Sequence, residues 1–275
     1  MHSLPPDKKR TGWLHFLRSP VFDIGQFLLL IVLVFWFFNR SVQDMGYHWQ
    51  WYQVPRYLYV WDEAGFVAGP LLRGLGVTMQ ISAISLFFAF SIGLLTALLR
   101  LSTSLPGRVV SRVYLELSRN TPLLIQLFFI YFVMGPILGL DRFWAAVLSL
   151  SLFEGAYASE IFRSGIISVE KGQWEASHSL GLSYKHAYRF IVLPQAVRRI
   201  MPPLASQAIS LIKDSALVST IAVYDLTMEA QALISETFLT FELWFTVAAM
   251  YLVITITLSF FVSYLEKRMP TGRHS

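Results

Sequence analysis

Six apolar stretches, each long enough to cross a bilayer, limit what this chain can fold into more than anything else in its sequence. They are residues 21–38, 77–99, 122–140, 143–162, 201–223 and 243–265. A hydrocarbon core about 30 Å thick takes roughly 20 apolar residues of α-helix to span. Charge is correspondingly scarce. Only 14% of the residues are Asp, Glu, Lys or Arg, where a soluble domain carries about 25%, and the mean hydropathy is +0.54. The expected class is an all-α polytopic membrane protein with six transmembrane helices. The chain contains no cysteine, which excludes disulfides and thiolate metal sites.

The polar segments sort by charge. Six spans place both termini on one side. That side gathers Lys8, Lys9, Arg10, Arg18, Arg100, Arg108, Arg112, Arg119, Arg163, Lys171, Lys185, Arg189, Arg198, Arg199, Lys267, Arg268 and Arg273. The other side holds only Arg40, Arg56, Arg73 and Arg142, with most of the loop acids. Basic loops face the cytoplasm, so the net charge of +5 reports membrane orientation and gives no reason to expect nucleic acid as a partner. The layout that follows is a cytoplasmic tail (1–20), an N-terminal transmembrane helix (21–38), an external loop (39–76), a core (77–265) and a second cytoplasmic tail (266–275). A basic start before an apolar run also describes a signal peptide. No small-x-small cleavage site follows Phe38, so an uncleaved anchor is expected. The aromatic cluster Tyr47-His48-Trp49-Gln50-Trp51-Tyr52 fits an interfacial belt, with ligand stacking as the alternative.

No catalytic constellation emerges. There is no Gly-x-x-x-x-Gly-Lys-[Ser/Thr] phosphate loop and no His-Glu-x-x-His, and the six histidines lie at loops and termini. No catalytic or metal-binding residue is assigned, and if ATP drives this protein another chain must hydrolyse it. Polar residues inside the apolar runs are the better lead. A charge near the bilayer centre costs roughly 2.5–3.5 kcal/mol on insertion scales, so such groups face a cavity or a partner. Glu154 and Glu160 fall in the fourth run, Lys213 and Asp214 in the fifth. Glu154 and Tyr157 are three apart and share a helix face, whereas Glu160 is near enough to the cytoplasmic end to snorkel. Lys213 and Asp214 point about 100° apart and need separate partners. Thr78, Ser82 and Ser85 form a small polar stripe on the second run, open to tight helix packing or to substrate contact.

Between the fourth and fifth runs lies a polar interruption, residues 164–199, centred on Glu175-Ala176-Ser177-His178-Ser179-Leu180-Gly181-Leu182-Ser183. The composition predicts a short helix, a left-handed turn at Gly181, a second helix capped by Ser183 and a stop at Pro194. Glu175-Ala176, with Gly181 five residues beyond and Leu193-Pro194 further on, resembles the EAA loop of ABC importer permeases. Ser177 stands where that motif has Ala. Arg119-Asn120-Thr121-Pro122-Leu123-Leu124-Ile125-Gln126-Leu127-Phe128-Phe129 resembles the R-G-T-P-L-L-V-Q-L-F-F run of polar-amino-acid permeases, with Asn120 for the usual Gly. Gly155-Ala156-Tyr157-Ala158-Ser159-Glu160-Ile161-Phe162-Arg163-Ser164-Gly165-Ile166 is similar to A-A-Y-x-x-E-I-x-R-G-G-I, and Ile212-Lys213-Asp214-Ser215-Ala216-Leu217 to I-K-D-T-S-L.

The resemblance, over residues 74–265, implies a type I ABC importer permease core of five helices, with the first helix added at the N-terminus. It implies a bacterial inner-membrane protein, multi-pass with both termini cytoplasmic and residues 39–76 periplasmic. The implied partners are two copies of an ATP-binding subunit carrying ATP and Mg, a second permease (identical or homologous), a periplasmic amino-acid-binding protein, the amino acid and membrane lipid. No cofactor is expected on this chain. In the implied coupling loop, which includes Ala176, Glu175 orients the loop, Gly181 permits the turn, Ser177 packs in place of the motif's Ala, Leu180 and Leu182 offer apolar contacts, and Pro194 stops the second helix. The pathway candidates are Ser82, Ser85, Glu154, Tyr157, Lys213 and Asp214, with Glu154 the candidate for the substrate's ammonium. A secondary transporter or channel for small polar solutes is the alternative, but would need no such loop, and no internal repeat is evident in the sequence.

Overall fold

The computed structural model describes residues 20–44, 46–62 and 65–268. The expected tails, 1–20 and 266–275, lie outside these residues except for Pro20 and the final residues of the last helix. The chain divides after Gln50 into two units. The first holds helix α1 (Pro20–Asp44), apolar over Phe22–Phe37, with large side chains such as Phe27, Phe35 and Phe37 exposed.

The second unit opens with a 3-10 turn (Trp51–Gln53), a short helix α2 (Pro55–Leu58) and an antiparallel hairpin of β1 (Tyr59–Asp62) and β2 (Gly65–Ala68), with Tyr59 opposite Ala68. This hairpin lies in the external loop. Its Tyr-Val-Trp and Phe-Val pairs are the aromatic and β-branched residues that suit a pleated ribbon, and Tyr59 stacks on Phe66 at 6.2 Å. The helices that follow are α3 (Pro70–Leu101), α4 (Leu105–Arg119), α5 (Leu123–Phe128), α6 (Gly135–Leu138), α7 (Arg142–Ile167), α8 (Lys171–Ser179), α9 (Tyr184–Ala187), α10 (Leu193–Asp214), α11 (Leu226–Thr237) and α12 (Thr240–Arg268). A π-helical stretch, Phe129–Met134, joins α5 to α6, another, Tyr188–Val192, joins α9 to α10, and a 3-10 stretch, Ser215–Ile221, follows α10.

Among the described residues α3, α7 and Thr240–Tyr264 of α12 are each long and apolar enough to cross a membrane alone. Two bent pairs raise that to five: α4 with Leu123–Leu138, bent by 108°, and Tyr184–Ile221 with α11, bent by 47°. The apolar part of α1 is shorter than these. The expected basic connector at 100–121 is therefore mostly helix. Ser104 caps it by accepting from the Gly107 amide at 3.3 Å, Pro106 fits the first turn, and Ser111, Leu115 and Ser118 face inward.

Pro194 does not stop a helix. The π-helical stretch just before it shifts the hydrogen-bond register, so the missing proline N–H falls where the ladder is already interrupted, and α10 continues to Asp214. Pro202 and Pro203, expected to open the fifth span, lie inside α10. Packing of Ile200 and Leu204 in a buried cluster with Val192 and Ala196 holds the helix together around them.

The central seam joins α3 to α7. A Cβ on Gly93 would lie 2.7 Å from Ala158 Cβ and 2.9 Å from the Gly155 carbonyl oxygen. A Cβ on Gly155 would lie 3.2 Å from the Ala89 carbonyl. The Thr78–Ser85 stripe lies fully inside. Thr78 donates to the Gly74 carbonyl and accepts from the Leu226 amide, both at 3.1 Å, tying α3 to α11. Ser85 donates to the Val147 carbonyl at 3.4 Å, and Ser151 donates back to the Ser85 carbonyl at 3.3 Å. Backbones this close leave no space for larger residues. Gly93→Val should lower the stability of the purified protein by about 1–3 kcal/mol, the usual cost of overpacking, read as a lower unfolding temperature in detergent. An unchanged midpoint would contradict the seam.

Candidate functional site

The polar interruption folds as a helical hairpin hung from the end of α7. In α8 the chain ends in a Schellman turn: the Leu182 amide donates to the Ser177 carbonyl at 3.1 Å and the Gly181 amide to the His178 carbonyl at 2.9 Å. Gly181 has φ +77°, a conformation in which a side chain is strained. Ser183 then precedes α9, but its hydroxyl meets His186 Nδ1 at 2.6 Å in place of a backbone amide. One face of the hairpin is packed. Ser177 is fully buried, and its hydroxyl donates to the Gln173 and Trp174 carbonyls, both at 2.8 Å. A serine therefore fits the alanine position of the motif, because its own helix satisfies the hydroxyl. Trp174 stacks on Tyr184 at 5.0 Å and joins the buried cluster around Val192. Gln195 donates to Gln173 at 3.3 Å, and Arg199 reaches back to the Ser168 carbonyl.

The other face is bare. Glu175, Ala176, Leu180, Gly181 and Pro194 are exposed and Leu182 is half-buried; Leu180, at 79%, is among the most exposed large apolar residues. A rigid turn that presents leucine to water has the form of a docking knob.

A second polar cluster lies deeper. Glu154 on α7 is 1% exposed and accepts a hydrogen bond from Gln207 on α10 through Oε2, while Oε1 has no hydrogen-bond partner among the described residues. Asp214, half-buried at the end of α10, lies within electrostatic reach. Its neighbour Lys213 points outward and is exposed, as the 100° step between them requires. Ser82 is buried on α3 with its hydroxyl unpartnered among the described residues, and Ser85 lies in the α3–α7 seam. Tyr157 packs on Phe153 at 5.1 Å and lines a separate arginine-rich cleft. The arrangement offers two acids and an amide to a group that carries positive charge and N–H donors. Gln207 escaped sequence reading; a lone amide in the fifth apolar run was its only signal.

Glu160 bridges Arg100 at 2.6 Å and Arg119 and Arg163 at 3.2 Å, joining α3, α4 and α7. The described residues contain no cluster of three or more His, Cys, Asp or Glu able to hold a metal ion.

The family described as "Binding-protein-dependent transport system inner membrane component" matches residues 89–270. The Glutamine transport system permease protein GlnP of Escherichia coli (strain K12) is 40% identical over 202 residues, 72% of this chain and 92% of that protein. The Probable glutamine ABC transporter permease protein GlnM of Bacillus subtilis (strain 168) is 39% identical over 199 residues, with the same coverage. A crystal structure of an amino acid ABC transporter with histidines superimposes with a TM-score of 0.68 at 37% identity, covering 72% of this chain and 94% of the other.

The burial of Ser177 makes a sharp distinction between substitutions. Ser177→Ala should leave the unfolding temperature nearly unchanged, within about 0.5 kcal/mol, because the lost hydrogen bonds lie within one helix. Ser177→Leu should cost about 1–3 kcal/mol by overpacking. Equal effects of the two would show that the site is not tightly packed.

Proposed function

Because the chain belongs to the family of binding-protein-dependent transport system inner-membrane components, we propose that it is the multi-pass permease of an ATP-driven importer for polar amino acids. The carrying observation is the helical hairpin after α7: a turn locked from within by Gly181 and Ser177 that exposes Leu180 outward. Two ATP-binding subunits, with ATP and Mg, would receive this turn in surface grooves. A second permease, identical or homologous, would complete the pathway, and a periplasmic amino-acid-binding protein would deliver substrate from the other side.

The mechanism follows from the connections. ATP-driven closure of the partner subunits pushes on α8. The stacked Trp174 and the Gln173–Gln195 contact pass that push to α10, while the α7 end carries it to the α3–α7 seam. The helices then rock as a body between outward and inward access. Both termini lie in the cytoplasm on this reading, since the basic loops share their side. The likeness to glutamine permeases supports an amino acid as cargo. Glu154, with Gln207 and Asp214 beside it, is the proposed contact for the ammonium group, and Ser82 flanks it.

Reconstitution in proteoliposomes with the ATP-binding subunit and the binding protein tests both parts. Gly181→Val should cut ATP-driven uptake at least about tenfold by straining the turn. Glu154→Gln should raise the KM for the amino acid by about 10- to 100-fold, the worth of a hydrogen bond to a charged group. Unchanged uptake in the first variant removes the coupling role. Unchanged KM and kcat in the second removes the substrate role. Solute movement by the chain alone, without ATP, would favour a secondary transporter.

A further inference from the structure

Arginines gather where α3 ends, along one side of α4 and near the end of α7. Five arginines and two glutamates line a cleft of about 570 Å³ there, an excess of three positive charges. Glu160 offsets part of it through Arg100, Arg119 and Arg163. Among the described residues the Arg108 side chain reaches only the Thr103 carbonyl, at 3.5 Å. Arg112 has neither ion pair nor hydrogen bond among the described residues. Both are exposed.

The other side of α4 supplies a second, independent observation. Leu105, Val109, Val110, Val113 and Leu117 are each more than half exposed. The helix stands 108° away from the apolar segment that follows it. A helix with an apolar outer face, basic residues beside it and a sharp angle to the apolar segment that follows is suited to the interfacial plane of a bilayer. Val109 and Val113 then dip among acyl chains, and their neighbours Arg108 and Arg112 sit at phosphate level.

We propose that this cleft binds the headgroup phosphate of an anionic glycerophospholipid. Arg108 and Arg112 hold the phosphate through charge-assisted hydrogen bonds, and the acyl chains run along the valine face of α4. Glu160 sets the depth of the cleft by holding Arg100, Arg119 and Arg163 on its far wall. The site is separate from the coupling turn and from the Glu154 cluster, and it stands whether or not those roles do.

The test is native mass spectrometry of the full-length chain in a neutral detergent, titrated with phosphatidylglycerol or phosphatidylcholine of the same acyl chains. A basic residue at an anionic headgroup is worth a factor of about five, so R108Q/R112Q should lower phosphatidylglycerol affinity about 25-fold and phosphatidylcholine affinity little. R108K/R112K keeps the charge and should retain most of the preference, which separates lost binding from lost folding. R40Q/R56Q removes the same charge elsewhere and should retain all of it. Excess inorganic phosphate should leave the lipid bound. Equal affinity of the parent chain for both lipids would overturn the proposal, as would an equal loss in R40Q/R56Q. Displacement of the lipid by inorganic phosphate would make the ligand a free anion and overturn the lipid assignment.

Discussion

Inside lipid no hydrophobic force draws two helices together, because the acyl chains are as apolar as the side chains they would meet. The α3–α7 pair is held by closeness instead. Gly93, Gly155, Ala89 and Ala158 bring the two backbones to van der Waals distance, and Ser85 and Ser151 exchange hydrogen bonds with the opposite main chain across that gap. Every residue proposed to act in transport is referred to this seam. Glu154 and Glu160 project from α7 on different sides, and the hairpin proposed to dock the ATP-binding subunit leaves from its end. A push on the hairpin therefore meets a stiff beam, which suits rigid-body rocking better than local bending.

The seam also separates two kinds of buried charge. Glu160 is surrounded by arginines and lies toward the end of its helix, where it acts as a clasp between α3, α4 and α7. Among the described residues Glu154 has no ion pair. It shares its surroundings with an amide and another acid, and one of its oxygens has no hydrogen-bond partner among those residues. A carboxyl group placed so deep without a counter-charge is costly to keep. That cost has a purpose if a cationic group arrives during the transport cycle.

Much of this was legible in the sequence, for physical reasons. Apolar runs of bilayer length marked the straight spanning helices, because spanning length is set by the membrane and not by tertiary contacts. Gly181 announced its turn, since few other residues tolerate positive φ. The helical nature of residues 105–119 was hidden because its apolar face is interleaved with arginines, so average polarity made it look like a connector; the Val109–Val113–Leu117 spacing carried the signal. Pro194, Pro202 and Pro203 misled the reading of helix ends. Their effect depends on π-helical widening and on neighbouring packing, neither of which has a local sequence mark. The partnership of Glu154 with Gln207, 53 positions away, depends on how α7 and α10 cross, which no single stretch encodes.

The most direct measurement of the coupling account uses the absence of cysteine from this chain. A single cysteine introduced as Leu180→Cys can be cross-linked by a short bifunctional maleimide to the assembled complex, with Ile137→Cys, exposed on α6, as the comparison. The account predicts a cross-link from position 180 to the ATP-binding subunit whose yield changes when ATP is added, and none from position 137. No cross-link at 180, or equal cross-linking at both positions, would contradict it.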